Sequence, residues 1–238
     1  MARVVLFHFH LFKNAGTSVD KILEMNFNNK FIKKEFPFYP YKSNISQVTE
    51  WIKKEIDKVA FSSHTARIFD FFRFEKETDI KVIPIIFIRH PFIRIHSAYH
   101  FEREKQKNIE ALGPVIAKNT DLKGYIEIRW FIPNDNQTKN FHIIRIADLF
   151  FEEEGSIIEK AMKAIGSLPF VGLVEKFDNS IKKLETLVRQ YFADFKTEFF
   201  EENVQFGLQF SLKDRLELIK KEVGETFFKK FYEMNKDD

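Results

Sequence analysis

The stretch RVVLFHFHLFKNAGTSVDKILEM, residues 3–25, decides the fold. It opens with mostly apolar residues rich in valine and phenylalanine, which favour a strand. A polar segment with one glycine follows, and then Val19, Ile22 and Leu23 recur at the spacing of a helix face. The stretch therefore predicts a strand, a loop and a helix in immediate succession, which is the opening unit of an α/β protein.

Length and composition bound the class of protein. The chain has 238 residues, of which 44% are hydrophobic and 31% are charged, so it can close one sizeable core. We therefore expect a single globular domain over residues 1–238. The absence of cysteine excludes disulfides and thiolate metal sites, and a formal charge of +3 is too small to indicate a nucleic-acid partner. Any bound anion must be held by a local site.

Later segments continue the alternation of strands and helices. Residues 82–88 are nearly all apolar, as in a buried parallel strand, although Pro84 cannot donate to a ladder. Residues 60–63 and 141–146 also favour strands. Helical spacing is found in residues 18–25, 46–58, 94–107, 157–165, 178–195 and 212–233. The chain therefore predicts a three-layer α/β fold, with a mainly parallel sheet and helices on both faces.

The loop of residues 10–18 has the features of an oxyanion site. It lies between the first strand and the first helix, where backbone N–H groups point outward and carry partial positive charge. Gly16 allows close approach of an anion, and Lys13 adds a full positive charge. Thr17 and Ser18 supply hydroxyl donors. The lysine precedes the glycine, unlike the Walker A pattern, which weakens an ATPase interpretation. An ordinary turn with a Thr/Ser helix cap explains the same residues.

A second basic turn begins where the apolar strand of residues 82–88 ends. Ligands of open α/β sheets bind outside the carboxyl ends of the strands, so Arg89 is expected at the same edge as the first loop. A guanidinium there suits a phosphate group. Ser97 lies eight residues later and reaches the same group only if the turn folds the helix back. Alternatively, Arg89 pairs with a carboxylate and Ser97 is an ordinary small helix residue.

Together the two segments resemble the two nucleotide signatures of sulfotransferases that use 3'-phosphoadenosine 5'-phosphosulfate (PAPS), in the carbohydrate branch related to heparan 2-O-sulfotransferases. The first signature, approximately H-x-P-K-x-A-G-T-S, is matched by residues 10–18, with Phe12 in place of the proline. The second, R-x-P-x-x-R-x-x-S-x-Y, is matched by residues 89–99. Weaker similarities at residues 136–138 and 171–180 extend the resemblance over most of the chain.

The resemblance implies a function and a role for each matching residue. The protein would transfer a sulfuryl group from PAPS to an acceptor hydroxyl, on a carbohydrate or a glycolipid, within a phosphate-loop fold like that of nucleotide kinases, and it would need no metal. Arg89 and Ser97 would hold the 3'-phosphate, which distinguishes PAPS from ordinary nucleotides. Lys13 would also stabilise the leaving phosphate. The residues implied to bind the 5'-phosphosulfate are Lys13, Asn14, Ala15, Gly16, Thr17 and Ser18.

The acceptor hydroxyl also needs a general base near neutral pH, which favours a histidine. His64, after the short strand of residues 60–63, is the first candidate. Related carbohydrate sulfotransferases are similar here but carry a second histidine where Ser62 stands. Other histidines therefore remain alternative candidates for the general base. These are His8, His10, His96 and His100. A metal pair formed by His8 and His10 is disfavoured, because the sequence suggests no third ligand.

Two further segments are candidates for the acceptor side. Residues 26–43 are predicted to form a surface loop, and within it residues 30–42 combine aromatic and lysine side chains that suit sugar rings and acidic groups. The irregular segment 109–122 suits a lid. Alternatively, the aromatic residues pack in the core and the lysines are simply solvated.

Two rival functions use the same features. A small-molecule kinase would place a lysine after the glycine and acidic magnesium ligands at a strand end. A non-catalytic polyanion binder would depend steeply on salt and ignore the 3'-phosphate. No apolar stretch reaches the roughly 20 residues of a membrane span, so we expect a cytoplasmic enzyme with no membrane segment and no nucleic-acid partner. The oligomeric state is left open.

Overall fold

The computed structural model describes residues 2–37, 43–197 and 210–238. Backbone contacts group them into two compact units. The first unit carries the sheet and is built from residues 2–37, 43–88 and 145–197. The second unit is helical and is built from residues 89–144 and 210–238.

The first unit holds a single five-stranded sheet in which every pairing is parallel. The strands are β1 Arg3–Phe9, β2 Phe31–Lys33, β3 Ala60–Ser63, β4 Ile80–Ile88 and β5 Gly172–Leu173. Their order across the sheet is β2-β3-β1-β4-β5. The parallel sheet with helices around it confirms the predicted α/β class. Strand β2 lies within the segment predicted as a surface loop, so that prediction is wrong at this point.

The register of β1 places three strand ends at one edge of the sheet. Phe9, the last residue of β1, is level with Ser63 of β3 and with Ile86 of β4. Because the three strands are parallel, the segments that follow them all begin at the same edge. The loop of residues 10–18 and the turn after Ile88 therefore start from neighbouring, hydrogen-bonded strands.

Pro84 is tolerated in β4 because, in the described part of the chain, no strand pairs with β4 at its position on the β5 side. On the other side Pro84 is level with Phe7 of β1. Among the described residues, β5 pairs only with Phe87 and Ile88, beyond the proline. Because β5 does not pair with Pro84, no carbonyl of β5 lacks a hydrogen bond where Pro84 has no N–H to donate.

Eleven helices form within the described residues. They are α1 Gly16–Phe27, α2 Ile45–Lys54, α3 Phe71–Thr78, α4 Pro91–Glu104, α5 Leu112–Asn119, α6 Leu122–Phe131, α7 Phe141–Ala147, α8 Ile157–Ser167, α9 Phe177–Val188, α10 Leu212–Val223 and α11 Glu225–Glu233. Helices α2 and α9 end earlier than predicted, and Ile56, expected on the buried face of the first, is 72% exposed. In the described parts of the chain, none of these helices combines the length and hydrophobicity needed to cross a bilayer.

Helix α7 occupies the segment 141–146, which the apolar pattern predicted as a strand, so that prediction is wrong. The Asp238 carboxylate accepts hydrogen bonds from the backbone N–H groups of His142 and Ile143, at 2.6 and 2.9 Å. These are the amides that an isolated helix end leaves without acceptors. A partner almost a hundred residues away thus stabilises the helix, and no local pattern reports it.

The second unit has its own apolar core. Phe92 of α4 stacks on Phe231 of α11 with ring centroids 4.0 Å apart. Ile219 and Val223 of α10 lie buried in the same cluster, as the predicted helical stripe requires. The predicted helix of residues 212–233 is broken at Gly224, whose φ of 84° lies in the left-handed region.

Helix α5 lies in the segment 109–122, which was predicted to be an irregular lid. Gly113 lies so close to Glu102 of α4 that an added Cβ would be 2.3 Å from its carboxylate. Ile116 and Ala117 are buried in the core of the same unit. The segment is therefore a packed helix, and the irregular lid is a wrong prediction.

Candidate active site

The loop after β1 has an unusual backbone. Lys13 and Ala15 have φ values of 63° and 60°, in the left-handed region that non-glycine residues seldom adopt. The conformation is held from within, because the backbone N–H of Asn14 donates to Leu11 at 3.1 Å and its side-chain amide donates to the Phe12 carbonyl at 3.0 Å. Left-handed residues of this kind cost about 1–3 kcal/mol each and concentrate at ligand sites. The loop therefore stays a candidate binding site.

Gly16 is required by its contact with His10. A Cβ at residue 16 would lie 2.0 Å from the His10 ring, closer than any real contact. The sequence assigned this glycine to close approach of an anion, and the structure supplies an independent steric reason. Gly16 and Thr17 open α1, where the preceding chain offers no helical acceptor for their amides, whereas Ser18 and Val19 donate to the Ala15 carbonyl.

Asp20 of α1 contacts two histidines, His8 within β1 and His10 directly after it. His8 Nδ1 lies 2.7 Å from one Asp20 oxygen, and His10 Nδ1 lies 3.1 Å from the other. The Ser62 hydroxyl donates to the same carboxylate at 2.5 Å. Burial alone would raise the pKa of Asp20, but these hydrogen bonds outweigh it and lower that pKa far below its usual range. A carboxylate only accepts hydrogen bonds, so both imidazoles carry their proton on Nδ1.

His8 is buried in this cluster and titrates far from neutral pH. Its side chain is 1% exposed. Burial lowers the pKa of His8 to about 4, and the charges of His10 and His64 add to this effect, although Asp20 opposes it. A base must reach the acceptor hydroxyl, so His8 does not fit that role.

His64 forms a dyad with Glu35, a residue that the sequence did not single out. His64 Nδ1 is 2.7 Å from Glu35 Oε1, and the backbone N–H groups of His64 and Thr65 also donate to this carboxylate. Burial would raise the pKa of Glu35, but the hydrogen bonds from His64 and Thr65 lower it to about 2. The His64 side chain is 50% exposed, and Nδ1 is the ring nitrogen that contacts Glu35. Glu35 follows β2, and recognising that edge strand would have placed it beside β3.

The two histidine–carboxylate pairs lie side by side. The rings of His10 and His64 stack with centroids 3.7 Å apart. One ring is oriented by Asp20 and the other by Glu35. The structure thus brings His10, Gly16 and His64, all singled out from the sequence, to the same edge of the sheet. In the same loop Lys13, Ala15 and Ser18 are half-buried, Asn14 is buried and Thr17 is exposed.

The second motif begins at Arg89, the first residue after β4. The next residue, His90, accepts a hydrogen bond from the Phe92 N–H at 3.3 Å and so caps α4, with Pro91 in the first turn. Burial lowers the pKa of His96 to about 4, and the positive charges of His100 and Arg89 contribute. Arg89 therefore lies close to the residue that precedes Ser97, which is half-buried on the same helix.

Arg94, the second arginine of this motif, is an internal structural residue. It is fully buried, its guanidinium donates to the Gln137 carbonyl, and it lies 4.1 Å from the centre of the Phe141 ring. It therefore ties α4 to the segment that precedes α7.

Comparison with known proteins agrees with these features. A model of the sulfotransferase family matches residues 2–238. An uncharacterized protein of Archaeoglobus fulgidus is 55% identical over 240 aligned residues, which cover 100% of this chain and 94% of that protein. The match extends through the loop after β1, the histidine dyad and the turn after β4. The chain belongs to the sulfotransferase family, whose members are enzymes that transfer sulfuryl groups.

Proposed function

We propose that this enzyme takes the sulfuryl group from PAPS and transfers it to a hydroxyl of a carbohydrate or glycolipid. In the proposal, residues 13–18 bind the 5'-phosphosulfate, and Arg89 with Ser97 binds the 3'-phosphate. Family membership supports sulfuryl transfer, and the match to both nucleotide signatures supports PAPS as the donor. The parallel pairing of β1 with β4 supports a shared donor, because both motifs begin at neighbouring strand ends.

The role of the first loop is supported by three independent features. Lys13 and Ala15 hold left-handed conformations that non-glycine residues seldom adopt and that are concentrated at ligand sites. The first amides of α1 carry the positive end of the helix dipole. Lys13 adds a full charge, which can stabilise the bridging oxygen as the bond between sulfur and the 5'-phosphate breaks.

His64 is proposed as the general base. Because its Nδ1 proton is directed at Glu35, its Nε2 carries the lone pair that can accept a proton. The acceptor hydroxyl gives its proton to His64 Nε2 while its oxygen attacks sulfur. A new oxygen–sulfur bond forms as the opposite one breaks, and 3'-phosphoadenosine 5'-phosphate (PAP) leaves. Glu35 orients the imidazole and stabilises its protonated form, as the aspartate does in a Ser-His-Asp triad.

The observation that carries the proposal is the Glu35–His64 dyad beside a strained, lysine-bearing loop at one sheet edge. In the proposal the dyad acts as the base and the loop as the phosphate-type site, and both lie within one compact unit. A kinase would instead need acidic magnesium ligands, and the strand that ends beside this loop is followed by Arg89. The predicted single-domain organisation and cytoplasmic location belong to the same proposal.

Calorimetric titration with PAP, AMP and ATP with magnesium tests the donor. We expect PAP to bind more tightly than AMP, and we expect Arg89→Ala to remove that preference because the 3'-phosphate loses its guanidinium. Arg73→Ala is the matched control, since Arg73 is exposed on α3 and pairs with Glu77. Tighter binding of ATP with magnesium than of PAP would replace the sulfotransferase proposal by the kinase. Equal binding of PAP and AMP would refute the role of Arg89.

A further inference from the structure

Two histidines and one glutamate converge within the helical unit. His96 and His100 lie one turn apart on α4, and Glu222 comes from α10. The Nε2 atoms of the two histidines are 3.1 Å apart, and Glu222 Oε2 is 3.4 Å from His96 Nε2. The three ligand atoms all lie within 4.8 Å of one another. None of these residues has a part in the proposed sulfuryl transfer.

We propose that His96, His100 and Glu222 bind a divalent transition-metal ion of the zinc type and that the ion fastens α10 to α4. Two imidazoles and one carboxylate are a ligand set that zinc uses in proteins, with water in the fourth position. Histidines at positions i and i+4 on one helix face are also the spacing of a known zinc motif. The inference goes beyond the proposed sulfuryl transfer and does not depend on it.

Two of the three distances between ligand atoms fit a tetrahedral ion. Zinc–nitrogen and zinc–oxygen bonds of about 2.0–2.2 Å place neighbouring ligand atoms about 3.3–3.5 Å apart. The nitrogen–nitrogen distance of 3.1 Å and the nitrogen–oxygen distance of 3.4 Å are close to this spacing. Both histidines therefore need only small side-chain movements to admit an ion.

The surroundings supply a second carboxylate for one ligand. Glu104 Oε1 lies 3.4 Å from His100 Nδ1, on the side of the ring away from His96. A carboxylate there favours a proton on Nδ1 and so leaves Nε2 available to a metal, as in carboxylate–histidine–zinc arrangements.

Charges of both signs act on the site. Asp121 is close enough to add negative charge beside Glu222. Arg89 is near His96 and repels a cation. Two carboxylates nevertheless contact the histidines, since Glu222 lies 3.4 Å from His96 and Glu104 lies 3.4 Å from His100.

The cluster of His8, His10 and Asp20 also has metal-ligating side chains, but it does not suit an ion. The Asp20 carboxylate already accepts hydrogen bonds from both Nδ1 atoms and from Ser62. A metal at these atoms would have to displace two protons in a buried site. The cluster of His96, His100 and Glu222 is half-exposed and has no carboxylate that is already engaged by three hydrogen bonds. It is therefore the better candidate for a metal site.

Zinc competition titration against a chromophoric chelator tests the proposal, with tag-free protein first stripped of metal by EDTA. We expect one equivalent to bind. Cobalt in its place should give the visible absorption of a tetrahedral site. His100→Ala should weaken zinc binding by about 100-fold or more, since even loss of a second-layer partner costs 10–100-fold. Glu222→Gln tests the third ligand, and its matched control is Glu217→Gln on the exposed face of α10.

A thermal readout separates a bridging ion from incidental binding. Zinc should raise the unfolding temperature of the parent protein and of Glu217→Gln, but not of His100→Ala or Glu222→Gln. Unchanged zinc affinity in both ligand variants would overturn the proposal. So would loss of zinc binding in His10→Ala, because that result would assign the ion to the other cluster. Absence of any stoichiometric binding by the parent protein would also overturn it.

Discussion

At the scale of single residues, the most informative finding is that His64 does not stand alone. The sequence identified it as a candidate base from its position after a short strand, but a lone histidine gives no reason for its orientation. Glu35 supplies that reason through the 2.7 Å contact with Nδ1. The stacked His10 ring, oriented by Asp20, limits the movement of His64 from the other side.

The dyad predicts a non-additive pair of variants. His64→Ala should lower kcat by about 10²–10⁴-fold, the usual range for loss of a general base. Glu35→Gln should also lower kcat, with little effect on PAP affinity, because it orients the imidazole and does not contact the donor. The double variant should be no slower than His64→Ala, because Glu35 acts only through the histidine. Losses that multiply would show that Glu35 acts on its own.

His8 predicts a specific sensitivity to acid. Its folded pKa of about 4 lies below the ordinary value of 6.5, so the unfolded chain binds the proton more readily. The contribution of His8 to stability is therefore complete above pH 6.5 and falls as pH drops toward 4, by about 3 kcal/mol for a pKa difference of this size. His8→Gln should remove most of this loss in urea unfolding measured at pH 7 and pH 4.5. An unchanged pH dependence would argue that His8 is protonated in the folded state.

At the scale of elements, the loop after β1 depends on one close contact. Gly16→Ala places a methyl group against the His10 ring, where 2.0 Å separates the ideal Cβ from the nearest ring atom. We expect a loss of about 1–3 kcal/mol in the free energy of unfolding, typical of overpacking, together with weaker PAP binding.

The matched control is Gly166→Ala in α8, where nothing lies within 4 Å of the added Cβ. There alanine should raise stability by up to about 1 kcal/mol, because glycine is a poor helix former. Urea unfolding of both variants measures the two changes in the free energy of unfolding. A similar effect of the two substitutions would mean that the contact with His10 is not a constraint.

The hydrogen bonds at the start of α7 predict that the distant Asp238 carboxylate contributes to stability. Asp238→Asn weakens the acceptor for the N–H groups of His142 and Ile143 and removes the charge beside the His142 ring. We expect the free energy of unfolding to fall by about 1–3 kcal/mol, as for loss of charge-assisted hydrogen bonds in a buried place. Asp237→Asn, on the neighbouring exposed residue, should change it by less than about 0.5 kcal/mol. Equal effects in urea unfolding would remove Asp238 as the partner of α7.

At the scale of the whole molecule, the sequence predicts correctly those strands and helices that the local pattern of apolar residues determines. Mostly apolar runs in β1 and β4 indicate buried parallel strands, and the spacing of apolar residues in α1 and α10 indicates helices. The errors lie where a distant partner decides, as with Asp238 and α7. Glu35 escaped notice for a related reason, because β2 has only three residues and gains its conformation from pairing with β3. The predicted residues 38–42 of the acceptor segment lie outside the described residues.

The proposed donor site joins motifs about 75 residues apart in sequence, and this separation predicts two different kinetic defects. Arg89→Ala should raise the KM for PAPS by about 10–100-fold and leave kcat at saturating donor nearly unchanged, since the 3'-phosphate is bound equally before and during reaction. Lys13→Ala should lower kcat itself by about 10²–10³-fold, because the lysine opposes charge that develops only as the leaving phosphate departs.

Steady-state assays with labelled PAPS and a mixture of sugar and glycolipid acceptors measure both parameters, and Arg73→Ala again serves as the control. The informative outcome is a KM effect in Arg89→Ala together with a kcat effect in Lys13→Ala. A polyanion binder would lose affinity similarly in both variants and would show no turnover. If Arg89→Ala lowers kcat as severely as Lys13→Ala, the 3'-phosphate contact must contribute to the transition state. Arg89 would then belong with the reacting sulfuryl group and not with the remote end of the donor.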